Sequence, residues 1–262
     1  MKDVVALVTG GSRGVGRGIA LALLTEGATV HVTGRTFSEA EAGPEGNRAG
    51  SLQGLELEAA NLPGRVVIHH CDHSDDAETE RVAAGIRAGG GLDILVNNAW
   101  PGYEGMVEDG EFTWPRPFWE QPSRRWDAMI GTALKAAFMM SREVAPMMIS
   151  THRGLIVNIS FWAAQLYEGN AIYGIAKAAA DKMAADFAHE LRPHNVAAVA
   201  LYPGLVRTEA VMRNADYFDL SNSESPRFIG HVIAWTLARP CADVEIRARL
   251  GRGRVGPAIR HS

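Results

Sequence analysis

Short apolar runs and longer amphipathic stretches alternate along the chain. Residues 4–8 read as a buried strand, and the glycine turn behind them runs into a helix with apolar Ile19, Leu21, Leu23 and Leu24. Residues 29–33 alternate as a second strand, ending at Gly34-Arg35. A short helix over 52–62, a strand over 65–71 ending at Asp72, and a helix over 75–88 follow. Residues 92–96 form a fourth strand closing on Asn97-Asn98-Ala99. A long helix over 126–150, a strand over 154–159, a second long helix over 171–191 stopped by Pro193, a strand over 196–201 and a helix over 226–238 complete the pattern. Six alternating βα units predict an α/β chain: one domain over 1–262 with a doubly wound parallel sheet of six to seven strands flanked by helices.

Four stretches break the pattern. Residues 36–51 are polar with Gly and Pro and read as an extended loop. Residues 100–126 hold four of the six tryptophans and four prolines without periodicity, and read as an ordered irregular insert. Its aromatics line a substrate pocket, bury against a neighbouring subunit, or pin the loop to the core. Residues 209–226 read as a lid-like connection. Residues 239–262 carry six arginines and little apolar patterning, with no strand in view.

Of the 262 residues, 47% are apolar and 21% charged, which supports a large core and excludes global disorder. The formal net charge of −4 argues against nucleic-acid binding by bulk electrostatics. Cys71 and Cys241 offer neither a disulfide framework nor a Cys-x-x-Cys metal spacing. The N-terminal apolar run is strand-sized, not a signal peptide, and no apolar run is long enough to span a membrane. A reducing, cytoplasmic setting is expected.

Candidate chemistry lies at the strand ends. Gly10, Gly14 and Gly16 punctuate a strand–turn–helix junction. Such a junction is a phosphate cradle, because free N–H groups and the helix dipole point at an anion; the same glycines also suit a bare tight turn. Arg35 at the end of the second strand and Arg13 in the glycine turn are two guanidiniums suited to a phosphate dianion, unless both are solvated surface residues. No acid appears in that stretch before Glu39, which favours NADP(H) over NAD(H). Asp72 is placed to accept from an adenine amino group and equally to cap the next helix, two roles that do not exclude each other. Asn97-Asn98-Ala99 fits a ligand crevice or plain turn chemistry. Tyr173 and Lys177 share a helix face, with Ser160 arriving from a strand end, a candidate acid–base group.

Taken in order, these motifs resemble the short-chain dehydrogenases/reductases over about residues 4–238: Thr9-Gly10-x-x-x-Gly14-x-Gly16, Asp72, Asn97-Asn98-Ala99, Ser160 thirteen residues before Tyr173, Tyr173-x-x-x-Lys177, and Pro203-Gly204 with Thr208. The insert and the run from Tyr173 to Val196 are most similar to the dehydrogenase/reductase member 1 group. The resemblance implies roles. Tyr173 would be the general acid or base, its pKa lowered by the Lys177 ammonium, and Ser160 would orient the substrate oxygen. Lys177, with Tyr173, would also bind the nicotinamide ribose. Gly10, Ser12, Arg13, Gly14, Val15 and Gly16 would carry the pyrophosphate, Asn98 with Ala99 the ribose region, and Thr208 the carboxamide, beside Pro203, Gly204 and Val206. No metal is implied.

The chain departs from that family twice. Ala133 stands where the family places an asparagine that relays protons, and the Arg/Gly-rich tail replaces its usual last strand. The expected function is an NADP(H)-dependent oxidoreductase interconverting a carbonyl and an alcohol on a bulky apolar small molecule, as a homodimer or homotetramer. The alternative is a non-catalytic nucleotide-binding sensor or scaffold on the same fold.

Overall fold

The computed structural model describes residues 1–42 and 50–237. Six strands form its main sheet: β1 (Val5–Val8), β2 (Thr29–Gly34), β3 (Arg65–His70), β4 (Ile94–Asn97), β5 (Gly154–Ile159) and β6 (Val196–Leu201). All run parallel, in the order β3-β2-β1-β4-β5-β6. The order reverses between β1 and β4, so the crevice that binds ligands in such sheets opens at their carboxyl ends. The doubly wound α/β architecture is the expected one, with six strands in its main sheet among the described residues; the Arg/Gly-rich tail lies outside them.

Two apolar layers sandwich the sheet. On one face, α1 (Gly14–Thr25), α2 (Leu52–Ala59) and α6 (Pro226–Leu237) bury Ile19, Leu23, Leu55, Ile229 and Ile233 against Val8, Val30, Val96 and Val157. On the other, α3 (Asp76–Ala88), α4 (Lys135–Thr151) and α5 (Ala171–Leu191) bury Val82, Ile86, Met140, Val144 and Leu191 against Leu7, Leu95 and Ile156. Alternate residues of one strand serve opposite faces, which is why these strands are apolar throughout.

Two segments differ from expectation. The helix expected over 126–150 is not uniform: a short turn at Ser123–Trp126 leads into a π-helix at Asp127–Leu134 before regular α4 begins. Apolar periodicity does not register such a widening, and π turns concentrate at functional sites. This one turns Met129 and Ala133 inward. The insert, expected to be irregular, contains an antiparallel hairpin pairing Val107–Glu108 with Glu111–Phe112. Its turn residues, Asp109 and Gly110, both have positive φ (50° and 81°), the two-residue turn that an Asp-Gly pair favours. That dipeptide is the signal periodicity overlooked.

The insert is a built unit. Arg125 is buried at its centre and donates to the carbonyls of Gly105 and Thr113 at 3.1 and 3.2 Å and to the Thr113 hydroxyl at 2.9 Å. Gln121 accepts a further Arg125 bond. An unpaired buried guanidinium is costly, so this set fixes the loop's path.

Histidines line the β2–β3 edge. Buried His73 bonds through Nε2 to the Thr33 hydroxyl at 2.7 Å and through Nδ1 to the Thr79 hydroxyl at 3.0 Å. Burial pushes its pKa down to about 4, against the opposing charges of Asp72 and Glu78. His31, 2.8 Å from His69, is likewise pushed down to about 4, foremost by burial. An unfolded histidine titrates near 6.5 and therefore takes up a proton that the fold refuses. Histidine-dependent stability is thus fully present above pH of about 6.5 and falls as the pH drops toward about 4, by roughly 3 kcal/mol for His73. Denaturant melts across this window are expected to show the decline, and His73→Asn should flatten it.

Candidate active site

The carboxyl edge of the sheet is knotted at the β1–β4 seam. Thr9 donates its hydroxyl to the Val96 carbonyl at 3.3 Å and accepts the amides of Asn98 and Ala99 at 3.0 Å each. Asn98 donates its side-chain amide to the carbonyls of Thr9 and Gly10, both at 3.0 Å. This amide, expected near a ribose, therefore braces the glycine turn. Asn97 is also structural: it donates to the Ser141 hydroxyl and to Asn158 Oδ1, each at 2.9 Å, tying β4 to α4 and β5.

The glycine turn is shaped by close approach. A Cβ on Gly16 would sit 2.3 Å from Asn98 Nδ2 and 2.5 Å from the Gly10 carbonyl oxygen, and one on Gly10 2.7 Å from Ala99 Cα. Ser12 is buried beneath the turn, while Arg13 is exposed at the N-cap of α1 and makes no side-chain cap. No acidic residue lies in the first turn of α1. Instead Glu209, from a distant segment, accepts the Gly14 amide at 2.9 Å. A carboxylate thus sits at the helix N-terminus, the place suited to an anion.

The last predicted group closes over this turn. Pro203 and Gly204 are buried, and the Gly204 amide donates to Glu224 at 3.0 Å. Val206 packs into the core. Thr208 caps the short helix Glu209–Arg213 by accepting the Val211 amide at 3.3 Å. Ser223–Glu224, within the lid-like stretch, pairs in parallel with Leu205–Val206 before it.

Arg35 is exposed and paired with Glu104 of the insert. Asp72 does not cap α3; Asp75 does, accepting the Ala77 amide at 2.9 Å. Asp72 instead accepts the Ser74 amide at 2.9 Å. Partial burial works to raise its pKa, but the Ser74 bonds and the Arg35 charge outweigh it and hold the carboxyl below its ordinary range.

Tyr173 and Lys177 lie buried on the first turns of α5, which Asn170 starts by accepting the Tyr173 amide at 3.0 Å. Asn170 also donates to the Trp114 carbonyl at 2.9 Å and to Gln121 at 3.1 Å, so the helix start and the insert are one assembly. Ser160, at the end of β5, donates to the Lys177 carbonyl at 3.3 Å. Lys177 Nζ donates to the Ile159 carbonyl at 3.0 Å and lies 3.9 Å from the centre of the Trp100 ring. Trp100, Tyr103, Trp114 and Phe161 surround Tyr173, with ring centroids 5.3–6.1 Å from it. Trp100 Nε1 is buried without a protein partner among the described residues. The insert's aromatics thus divide: Trp100, Trp114 and the half-exposed Tyr103 pack against Tyr173, whereas Phe112, Phe118, Trp119 and Trp126 are exposed and make no ring contact with it.

Burial dominates the electrostatics here. It pushes Lys177 down to about 7, with Asp181 opposing the fall. It also raises the Tyr173 phenol well above its ordinary range, with Tyr103 adding to the rise. The expected lowering of Tyr173 by an adjacent ammonium is not what this arrangement produces. The ammonium is itself disfavoured by desolvation, and it is directed at the Ile159 carbonyl and the Trp100 face. Sequence reasoning missed the Tyr103 hydroxyl, 3.2 Å from that of Tyr173; a tyrosine just past Asn-Asn-Ala was the only signal available.

The short chain dehydrogenase model matches residues 4–217. Dehydrogenase/reductase SDR family member 1 of Mus musculus is 38% identical, covering 89% of this chain and 74% of the relative. The Homo sapiens protein of the same name is 40% identical over 80% of this chain, which spans 62% of that relative's length. Among solved structures, a metagenomic short-chain oxidoreductase in complex with NADP superposes with a TM-score of 0.71 at 30% identity, covering 92% of this chain and 93% of the other. A 3-oxoacyl-[acyl-carrier protein] reductase with bound NAD from Brucella melitensis gives 0.69 at 26%, covering 89% and 84%.

Asn98→Ala removes both bonds bracing the glycine turn and leaves two carbonyls short of a donor. Denaturant unfolding is expected to show a loss of about 1–3 kcal/mol.

Proposed function

The chain belongs to the short-chain dehydrogenase family, and we propose that it is an NADP(H)-dependent oxidoreductase interconverting a carbonyl and an alcohol on a bulky apolar small molecule. The observation that carries this reading is the burial of Tyr173 and Lys177 beside Ser160, at the same sheet edge as a glycine turn built for an anion. The residues fit a dinucleotide. Gly10, Ser12, Gly14, Val15 and Gly16 would hold its pyrophosphate, with Ala99, Pro203, Gly204 and Thr208 near the rest, and Lys177 its nicotinamide ribose. Arg13 and Arg35 support the 2′-phosphate form: both are exposed guanidiniums, and Arg35 already pairs with a carboxylate.

The bound nicotinamide supplies or accepts the hydride. The protein supplies the proton and the geometry. Tyr173, kept protonated by burial, gives its proton to a carbonyl oxygen in reduction and takes it back in oxidation. Lys177, poised near neutrality, contributes positive charge where the oxygen becomes negative. Ser160 orients the substrate oxygen from the end of a rigid strand, and Trp100, Trp114 and Phe161 exclude water. Their apolar faces favour a bulky apolar substrate. No helix among the described residues is long and apolar enough to cross a membrane. Work in the cytoplasm as a homodimer or homotetramer completes the reading, supported by exposed Phe138 on α4 and Ile175 on α5.

Fluorescence titration is expected to show NADPH binding tighter than NADH, by about tenfold or more for one charge-assisted contact. Arg35→Ala should erase most of that preference, whereas tighter NADH binding overturns it. In a carbonyl screen following NADPH oxidation, Tyr173→Phe is expected to lower turnover by about 100-fold or more. Equal turnover by both proteins refutes the role given to Tyr173.

A further inference from the structure

A buried acid that gives its proton to a substrate must regain one before the next turnover. Around Tyr173 the routes are few. Ala133, where the family places a relay asparagine, is buried in the π-helix and offers no polar side chain. Lys177 directs its Nζ at the Ile159 carbonyl, and Ser160 donates to the Lys177 carbonyl. Among the described residues, the hydroxyl of Tyr103 supplies the hydrogen-bond partner of the Tyr173 hydroxyl, at 3.2 Å. Tyr173 is 5% exposed and Tyr103 54%. The Tyr103 side chain therefore extends from the buried Tyr173 hydroxyl toward the surface, although burial raises the pKa of its own phenol as well, with the Tyr173 bond opposing the rise.

The link is held on both sides. The Tyr103 ring lies 6.0 Å from Trp100 and 5.8 Å from Trp114, centre to centre. Its neighbour Glu104 pairs with Arg35, and the adjoining Gly105 carbonyl accepts from buried Arg125. The charged and titratable groups around the pair are Lys177 on α5 and Glu168 in the loop before it.

We propose that Tyr103 is a proton-relay residue for Tyr173, carrying protons between solvent and the buried phenol in place of the route that Ala133 does not supply. The proposal rests on the reading of Tyr173 as general acid–base for a nicotinamide-dependent carbonyl reaction. In reduction the Tyr173 O–H bond breaks as an O–H bond forms on the substrate oxygen, which the hydride has made an alkoxide. Tyr103 then donates its hydroxyl proton to the Tyr173 oxygen, and the Tyr103 oxygen takes one proton from solvent, leaving both phenols neutral. Oxidation runs the same steps backwards.

Tyr103→Phe keeps the ring and removes the relay. With NADPH and a turned-over carbonyl it should lower kcat by about tenfold or more and shift the pH profile of kcat, while KM for NADPH holds. Tyr103→His, which restores an exchangeable proton, should recover part of the loss, and melting curves exclude unfolding as the cause. Phenolate absorbance titrations of the wild type, Tyr103→Phe and Tyr173→Phe need no turnover. A coupled pair releases its first proton more easily than either phenol alone, so the curves should be non-additive. Additive curves, or an unchanged kcat and pH profile in Tyr103→Phe, overturn the relay. Activity that Tyr173→Phe abolishes and Tyr103→Phe spares rejects the relay alone; full activity in Tyr173→Phe rejects the reading beneath it.

Discussion

Where β1 and β4 leave the sheet and their chains part to opposite faces, Thr9 and Asn98 hold the two ends together. Thr9 takes two amides of the β4 end, and Asn98 returns two side-chain donors to the β1 end. Every later feature of the site depends on this knot. It fixes the glycine turn within van der Waals contact of Ala99 and Asn98, leaving no room for a side chain. It thereby sets where the N-terminus of α1 points and where the insert starts. Each of these bonds is worth about 1 kcal/mol net, but their loss would strand buried carbonyls, a larger cost.

Beyond that knot, packing rather than charge decides the character of the site. The insert is anchored on buried Arg125 and on Asn170, which serves both the insert and the start of α5. An aromatic wall built this way around Tyr173 and Lys177 removes water from both. Desolvation then moves the two groups in opposite directions, each toward its neutral form. A protonated phenol beside an amine poised near neutrality is suited to exchanging a proton with an oxygen. The Tyr103 hydroxyl gives that buried phenol a way out.

The segment from Pro203 to Arg213 shows the same economy of parts. Val206 serves the core, Thr208 caps a short helix, and Glu209 supplies a carboxylate to the Gly14 amide. Residues at adjacent positions thus act on stability, local structure and the anion site in turn.

Much of the fold was legible in the sequence. Continuous apolar runs such as Leu155-Ile156-Val157 separated by amphipathic stretches specify strands buried on both faces, and that pattern requires helices on both sides. The Gly10–Gly16 spacing and the Tyr173/Lys177 pair at one helical turn were equally visible, because short-range geometry follows from residue number. The rest depended on contacts between residues far apart in sequence. Nothing local shows that Asn98 spends its amide on Gly10 or that Glu209 reaches Gly14. The π-helix before α4 leaves the apolar spacing almost unchanged. The division of the insert's aromatics into wall and surface followed from the path that Arg125 imposes. Sequence alone set which residues are available at the sheet edge; the tertiary structure decided how deeply they are buried and which hydroxyl meets Tyr173, because desolvation and hydrogen bonding belong to the packed surroundings rather than to the residue.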